Sequence, residues 1–180
     1  MIENPTEWKV LRFFSQNPTK EYYVKEISRK LNISSGSSSR VCKKLAESGI
    51  LTKASKGNLL LYRMDNSNFR AKEMKRFIFL TELHKYIKYF KNEEYQLVAL
   101  YGSYANGEYV EKSDIDILVI TNVSDRKVRE NLEILSKLGK EVSITVLPLS
   151  RWLELKNKGD PFYKEVVANH VVLHGEKLVI

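Results

Sequence analysis

The stretch between residues 96 and 120 constrains this chain more than any other. Residues 96–101 form a short apolar run that ends in Gly102-Ser103, and residues 115–120 form a second one. Runs of this length, bounded by turn residues, read as buried strands. Asp114 and Asp116 stand two apart at the start of the second. Period-two alternation then points both carboxylates to one side, with Ile115, Ile117 and Val119 on the other. Two adjacent carboxylates repel each other and favour a counter-cation. Mg²⁺ (or Mn²⁺) prefers oxygen ligands and is commonly held by one or two carboxylates together with substrate phosphates. Gly102, after a strand and opening a helix, lets a phosphate approach the backbone, and Ser103 adds a hydroxyl donor. The segment thus offers a phosphate cradle followed by a metal-binding pair. It is not a P-loop, because no Gly-Lys-Ser/Thr follows.

Gly102-Ser103, ten intervening residues and Asp114-x-Asp116 together resemble the signature of the minimal nucleotidyltransferases of the DNA polymerase beta superfamily. Tyr104-Ala105-Asn106-Gly107 is similar to that family's aromatic-Ala-Arg-Gly, with Asn106 in place of Arg, and Ser113 before Asp114 also matches. The resemblance covers roughly residues 95–150. It implies that Gly102 and Ser103 hold the β- and γ-phosphates of a nucleoside triphosphate, most readily ATP. Asp114 and Asp116 hold Mg²⁺ as the catalytic pair, and a hydroxyl attacks the α-phosphorus with release of pyrophosphate. Active members carry a third carboxylate on the next strand. Here that strand is residues 142–147, and the expected position falls near Ser143 or Thr145, neither of them acidic. Glu141 shares their strand face by period two and reads as a solvated residue at the strand start.

The N-terminal part carries a different pattern. Residues 6–15 (capped by Thr6), 24–31 and 35–48 (capped by Ser34 or Ser35) read as helices, the third with Ser38, Cys42 and Leu45 facing inward. Residues 50–54 and 59–64 read as a hairpin around residues 55–58. Three helices and a hairpin resemble a winged helix-turn-helix, with the third helix as recognition helix. The resemblance implies DNA contacts from Ser35, Ser37, Ser39, Arg40, Lys43 and Lys44, and from Lys53 and Lys56 on the wing. Residues 69–91 repeat apolar positions at helical spacing, which predicts one long amphipathic helix or two with a kink. This helix links the halves and can supply a homodimer surface. Beyond it, residues 123–138, 150–157 and 161–169 read as helices. Residues 171–173 and 178–180 read as a closing hairpin around Gly175. The expected fold is α/β (α+β): a winged helix over residues 1–66, a linking helix over 67–92, and a small mixed-sheet nucleotidyltransferase domain over 93–180.

Charge follows the same division. Residues 1–92 hold 19 Lys and Arg against 8 Asp and Glu, a net +11, whereas residues 93–180 hold 11 against 14, a net −3. A basic part that meets a polyanion and a separate part with other work fit this asymmetry. No apolar run approaches the ~18 residues of a membrane span, and no signal peptide is read at the N-terminus. One cysteine, Cys42, excludes an intrachain disulfide and suits a reducing cytoplasm. Cys42 reads as a core residue, Trp8 and Trp152 as core or interface aromatics, His84 as a helix-surface residue and His174 as a turn residue. The three histidines lack metal-ligand spacing.

Two functions follow, beside a third reading in which the chain is a partner-binding module whose winged helix docks protein. One is a Mg²⁺-dependent nucleotidyltransferase with an attached DNA-binding domain, acting on a hydroxyl of a protein side chain or small molecule. The other is a DNA-binding transcriptional regulator that uses the nucleotidyltransferase fold to bind nucleotide or a partner without turnover.

Overall fold

The computed structural model describes residues 5–175. The chain divides into two compact units, Met1–Ile78 and Phe79–Ile180.

In the first unit, α1 (Pro5–Gln16) is followed by a two-residue strand β1 (Tyr22–Tyr23), then α2 (Val24–Leu31) and α3 (Ser35–Glu47). Strands β2 (Leu51–Lys56) and β3 (Leu59–Met64) complete it, together with the start of α4 (Phe69–Leu83). The amphipathic stripes of α1–α3 meet in one core of Val10, Leu11, Phe14, Ile27, Val41, Cys42 and Leu45, closed by Leu51, Tyr62 and Met64 from the sheet. Ser34 caps α3, its hydroxyl accepting from the Ser37 amide at 3.1 Å. Asn32, at φ 50°, makes the left-handed turn that reverses the chain between α2 and α3. Ser38 is fully buried in α3 and donates to the Val24 carbonyl at 3.4 Å, so its hydroxyl is not left unpaired in the core. Burial pushes the Cys42 thiol up to about 11, as suits a core residue. The antiparallel sheet runs β1-β3-β2, with Gly57-Asn58 as the hairpin turn. This helix, helix, helix and hairpin order is a winged helix. Two sequence expectations shift. Helix α1 already includes Pro5, the first described residue, which puts Thr6 inside the helix rather than at the cap. Strand β2 runs on to Lys56, which shortens the turn to two residues.

Helix α4 ends at Leu83 and gives way to a 3₁₀ turn at His84–Tyr86 and a single turn α5 (Ile87–Phe90), so residues 69–91 form a broken helix rather than a continuous one. The second unit is built on a four-stranded sheet of β4 (Tyr95–Tyr101), β5 (Ile115–Thr121), β6 (Val142–Leu147) and β7 (His170–Gly175), in the order β6-β5-β4-β7. Strand β4 is antiparallel to both β5 and β7, and β5 is parallel to β6. A single turn α6 (Gly102–Ala105) follows β4. Helix α7 (Asp125–Leu132) continues into a 3₁₀ segment, Glu133–Leu138, so the predicted helix over 123–138 changes pitch part-way. Helices α8 (Leu149–Lys158) and α9 (Pro161–Ala168) precede β7.

Alternation along the strands gives this sheet two buried faces. Val98, Leu100, Ile115, Ile117 and Val119 pack with Phe79, Leu83, Phe90, Val128, Leu132 and Leu135. Leu97, Ala99, Tyr101, Leu118 and Ile120 pack with Trp152, Leu155, Tyr163 and Val166 of α8 and α9. Residues 171–173 do lie in a strand, but one that pairs with β4. The expected partner at 178–180 lies outside the described residues. His174 sits in β7, not in a turn, its Nε2 3.2 Å from the Asn92 carbonyl oxygen.

Candidate active site

The loop between β4 and β5 is tied down by its own polar groups. The Ser103 carbonyl accepts from the amides of Glu108 (2.9 Å) and Tyr109 (3.1 Å), and the Ser113 hydroxyl accepts from the Val110 amide at 2.9 Å. Tyr104 stacks on Tyr109 with ring centroids 4.1 Å apart. Asn106, at the place where the resembled motif has Arg, braces the same turn. Its Oδ1 accepts from the Glu108 amide at 2.9 Å and its Nδ2 donates to Glu108 Oε2 at 3.2 Å. These bonds bring Asp114 back to the mouth of β5.

Gly102 is the pivot. Its φ of 67° is a region L side chains rarely adopt, and a Cβ placed there would lie 2.5 Å from Asp116 Oδ2. The carboxylate therefore occupies the space that any other residue at 102 would fill. Asp116 pairs in register with Tyr101 on β4 and with Ser143 on β6, and Tyr101 pairs with His170 on β7. His170, Tyr101, Asp116 and Ser143 thus form one row across the sheet, on the face that carries Leu118 and Ile120. Tyr101 Oη lies 3.2 Å from Thr145 Oγ1, one step further along β6.

Charge in this row is crowded. The Asp116 carboxyl is raised above the ordinary carboxylate range by burial first, then by the negative charges of Asp114 and Glu165. Burial also raises the Tyr101 phenol, with Asp116 and Glu165 acting in the same direction against the Thr145 hydrogen bond. Tyr104 is pushed up to about 12, by burial and then by Asp114 and Glu82. Both phenols are therefore neutral at physiological pH. A carboxyl with a higher pKa folded than unfolded holds its proton more tightly in the native state. The stability this gives is complete below the ordinary carboxylate range and lost as pH rises through the raised value. Asp116→Asn, neutral throughout, is therefore expected to unfold at a higher temperature than the wild type at neutral pH. The difference should close as pH falls below about 4. Thermal unfolding across pH measures this, and a constant difference at every pH would contradict it.

The donor set fits a divalent cation that arrives with a nucleotide. The Asp116 carboxylate lies against Gly102, and the negative charge of Asp114 acts on it. Among the described residues no group of three or more His, Cys, Asp or Glu side chains is placed to hold a metal alone. Two carboxylates with substrate phosphates are an ordinary Mg²⁺ environment.

A nucleotidyltransferase domain model matches residues 82–174, which encloses Gly102, Ser103, Asp114 and Asp116. The chain belongs to the nucleotidyltransferase domain family. A Methanocaldococcus jannaschii protein named "Putative protein adenylyltransferase" is 40% identical over 83 residues, 45% of this chain and 57% of that protein. The match thus spans just over half the relative's length. Two solved structures overlap part of the chain. One is a "possible transcriptional regulator" from Methanosarcina mazei Go1, at 18% identity, covering 49% of this chain and 80% of that one with a TM-score of 0.37. The other is a toxin-antitoxin with AMP-PNP, at 25% identity, covering 52% and 73% with a TM-score of 0.38.

Of the two positions where a third carboxylate is expected in this nucleotidyltransferase domain, Ser143 lies beside Asp116 in register and Thr145 Oγ1 lies 3.2 Å from Tyr101 Oη. Glu141 is exposed and precedes β6, where its carbonyl accepts from the Ile115 amide at 2.9 Å. Tyr101 is a residue of this row that the sequence does not single out, because it reads only as the end of an apolar strand and carries no local motif.

The winged-helix candidates lie on or beside α3 and at the hairpin. Ser35, Arg40, Lys43, Lys44 and Lys56 are exposed and Ser37 is half-buried. Lys44 donates to Glu7 of α1 at 2.8 Å, and Lys43 stands 3.9 Å from Glu47. Ser35 Oγ lies 3.3 Å from Ser28 Oγ, and Ser37 bonds with Ser34 at 2.9 Å, so these two hydroxyls also brace the helix start. Among the described residues no helix is long and apolar enough to cross a membrane.

Proposed function

We propose that the second unit binds a Mg²⁺–nucleoside triphosphate, ATP by preference, and transfers its nucleotidyl group to a hydroxyl acceptor. The observation that carries this reading is the packing of the Asp116 carboxylate into the space left by Gly102, within a domain of the nucleotidyltransferase family. Gly102 and Ser103 hold the β- and γ-phosphates, and Asp114 and Asp116 hold Mg²⁺. When bound, the metal offsets charge on the attacking and leaving oxygens. The name of the M. jannaschii relative supports adenine as the base and a protein side chain as the acceptor. Calorimetry with Mg²⁺ and a non-hydrolysable ATP analogue tests the binding half. The wild type should bind, and Asp114→Asn/Asp116→Asn should lose about tenfold or more in affinity, since each carboxylate offsets charge in a partly buried site. Equal binding by both proteins would remove the assignment.

The winged helix is read as a DNA-binding module, on the net +11 of residues 1–92 and the exposed Arg40, Lys43 and Lys56. Arg40→Glu/Lys43→Glu should weaken duplex binding and flatten the slope of log affinity against log salt by about 2, one for each phosphate no longer neutralised. An unchanged slope would point to a protein partner instead. A homodimer through residues 69–91 belongs to the same reading, with Phe69 (70%) and Phe77 (56%) exposed on α4. One observation favours a second reading, a regulator that binds nucleotide without turnover: Ser143, and no acid, lies beside Asp116.

A further inference from the structure

The hairpin of β2 and β3 reaches past the core that anchors it. Leu51, Tyr62 and Met64 are buried against the helices, whereas residues 53–60 are all exposed. Two of those residues are neighbouring leucines, Leu59 at 51% and Leu60 at 40% exposure. The pairing register sets them on opposite faces of the ribbon. Leu59 stands across from Lys56, and Leu60 stands across from Ser55, on the face of the Lys53–Tyr62 pair. A single exposed leucine is ordinary surface. Adjacent leucines that make both faces of one tip apolar suit a partner that encloses the tip, since a flat partner would cover only one of them. Charge narrows the choice of partner. Exposed cations flank the leucines on both faces, Lys53 on one and Lys56 and Arg63 on the other. Lys53 also lines, with Lys43, Ala46, Glu47 and Leu51, a groove of about 240 Å³ between β2 and α3. The cations of the hairpin thus continue into those of the third helix. Strand β2 lies at the edge of its sheet, where its lysines oppose the addition of a strand from a second copy.

We propose that Leu59 and Leu60 form an apolar wedge that enters the DNA minor groove, opens it and bends the duplex. The inference rests on the reading of the winged helix as a DNA-binding module. In that reading α3 takes the major groove, and a hairpin beside it meets the neighbouring minor groove. That groove offers two phosphate walls to the lysines and is only about 6 Å wide. A two-stranded ribbon with side chains on both faces exceeds that width, so entry of the tip requires the groove to open. Apolar side chains pushed between base steps open it by partly unstacking them, with a kink of about 20–90° toward the major groove. The cost of that kink depends on sequence. The wedge therefore favours flexible pyrimidine–purine steps without a side chain that reads their base edges.

The test uses the full chain at low salt and a duplex of about 20 base pairs with a central TA step and a donor and an acceptor dye at its ends. Saturation with the wild type should raise energy transfer between the ends, the mark of a bend. Leu59→Ser/Leu60→Ser should still bind, with the slope of log affinity against log salt unchanged, but about tenfold more weakly and with the duplex left straight. Leu59→Met/Leu60→Met keeps the tip apolar and should restore the bend. All three proteins should unfold at the same temperature, because neither leucine belongs to the core. A duplex that stays straight under the wild type, or bends equally under the serine variant, would overturn the wedge and leave DNA binding standing. Self-association of the wild type that the serine variant abolishes would also overturn it, by making the tip an interface between copies. Failure of the wild type to bind any duplex would remove the DNA reading and the wedge together.

Discussion

Gly102→Ala is expected to leave a folded protein that has lost ~10²-fold or more of its nucleotidyl transfer. Two effects separate here. The backbone at φ 67° costs a non-glycine residue about 1–2 kcal/mol, a measurable but survivable loss of stability. The new methyl would also stand 2.5 Å from Asp116 Oδ2. The carboxylate is the tip of a short side chain, so it can move aside and the fold can tolerate the substitution. That movement displaces the very oxygen assigned to the metal, and misplacement by about 1 Å is enough for such a loss in rate. Gly102→Val adds a β-branched side chain at positive φ and should lose stability as well. Rates of label transfer beside thermal unfolding separate the two effects. A Gly102→Ala protein with wild-type rates would show that the close approach to Asp116 has no functional purpose.

Asp116→Asn should cost more, about 10³-fold in rate. Such a loss corresponds to about 4 kcal/mol of transition-state stabilisation, the scale expected of a lost metal ligand. Asp114→Asn should be less severe, because Asp114 is exposed whereas Asp116 is partly buried in the paired row. The order of the two effects is the discriminating result. If Asp114→Asn proved the more damaging, the metal would have to sit nearer the loop than the sheet. The stability of Asp116→Asn at neutral pH should rise while its activity falls, because the same crowding of charge opposes folding and holds the cation.

How far these features are legible in the sequence depends on how local they are. The spacing of Gly102-Ser103 and Asp114-x-Asp116 exposes the carboxylate pair because its chemistry lies in one short segment. Strand β6 is also legible to its observed limits, since Val142, Ile144 and Val146 alternate with Ser143 and Thr145. Sheet order is not legible. Strand β7 reaches β4 across about 70 residues with a register shift between Val98 and Ala99, and nothing near residue 170 encodes that partner. The two-residue β1 exists only because β3 lies beside it. The seating of Phe162 on Tyr101 is invisible for the same reason, being a contact between residues 61 apart in the chain. The third helix of the winged unit is legible almost to the residue, because Ser34 caps it and its apolar stripe is regular.

Whether residues 102–116 carry out nucleotidyl transfer is decided by the fate of the label. The protein would be incubated with Mg²⁺ and ATP labelled either at the α- or at the γ-phosphate, with an extract of the source cells as acceptor. The expected result is that α-label becomes covalently attached to an acceptor, that γ-label leaves as pyrophosphate, and that Asp114→Asn/Asp116→Asn does neither. Attachment of γ-label would make the site a phosphoryl-transfer site, and no attachment of either label would contradict transfer altogether.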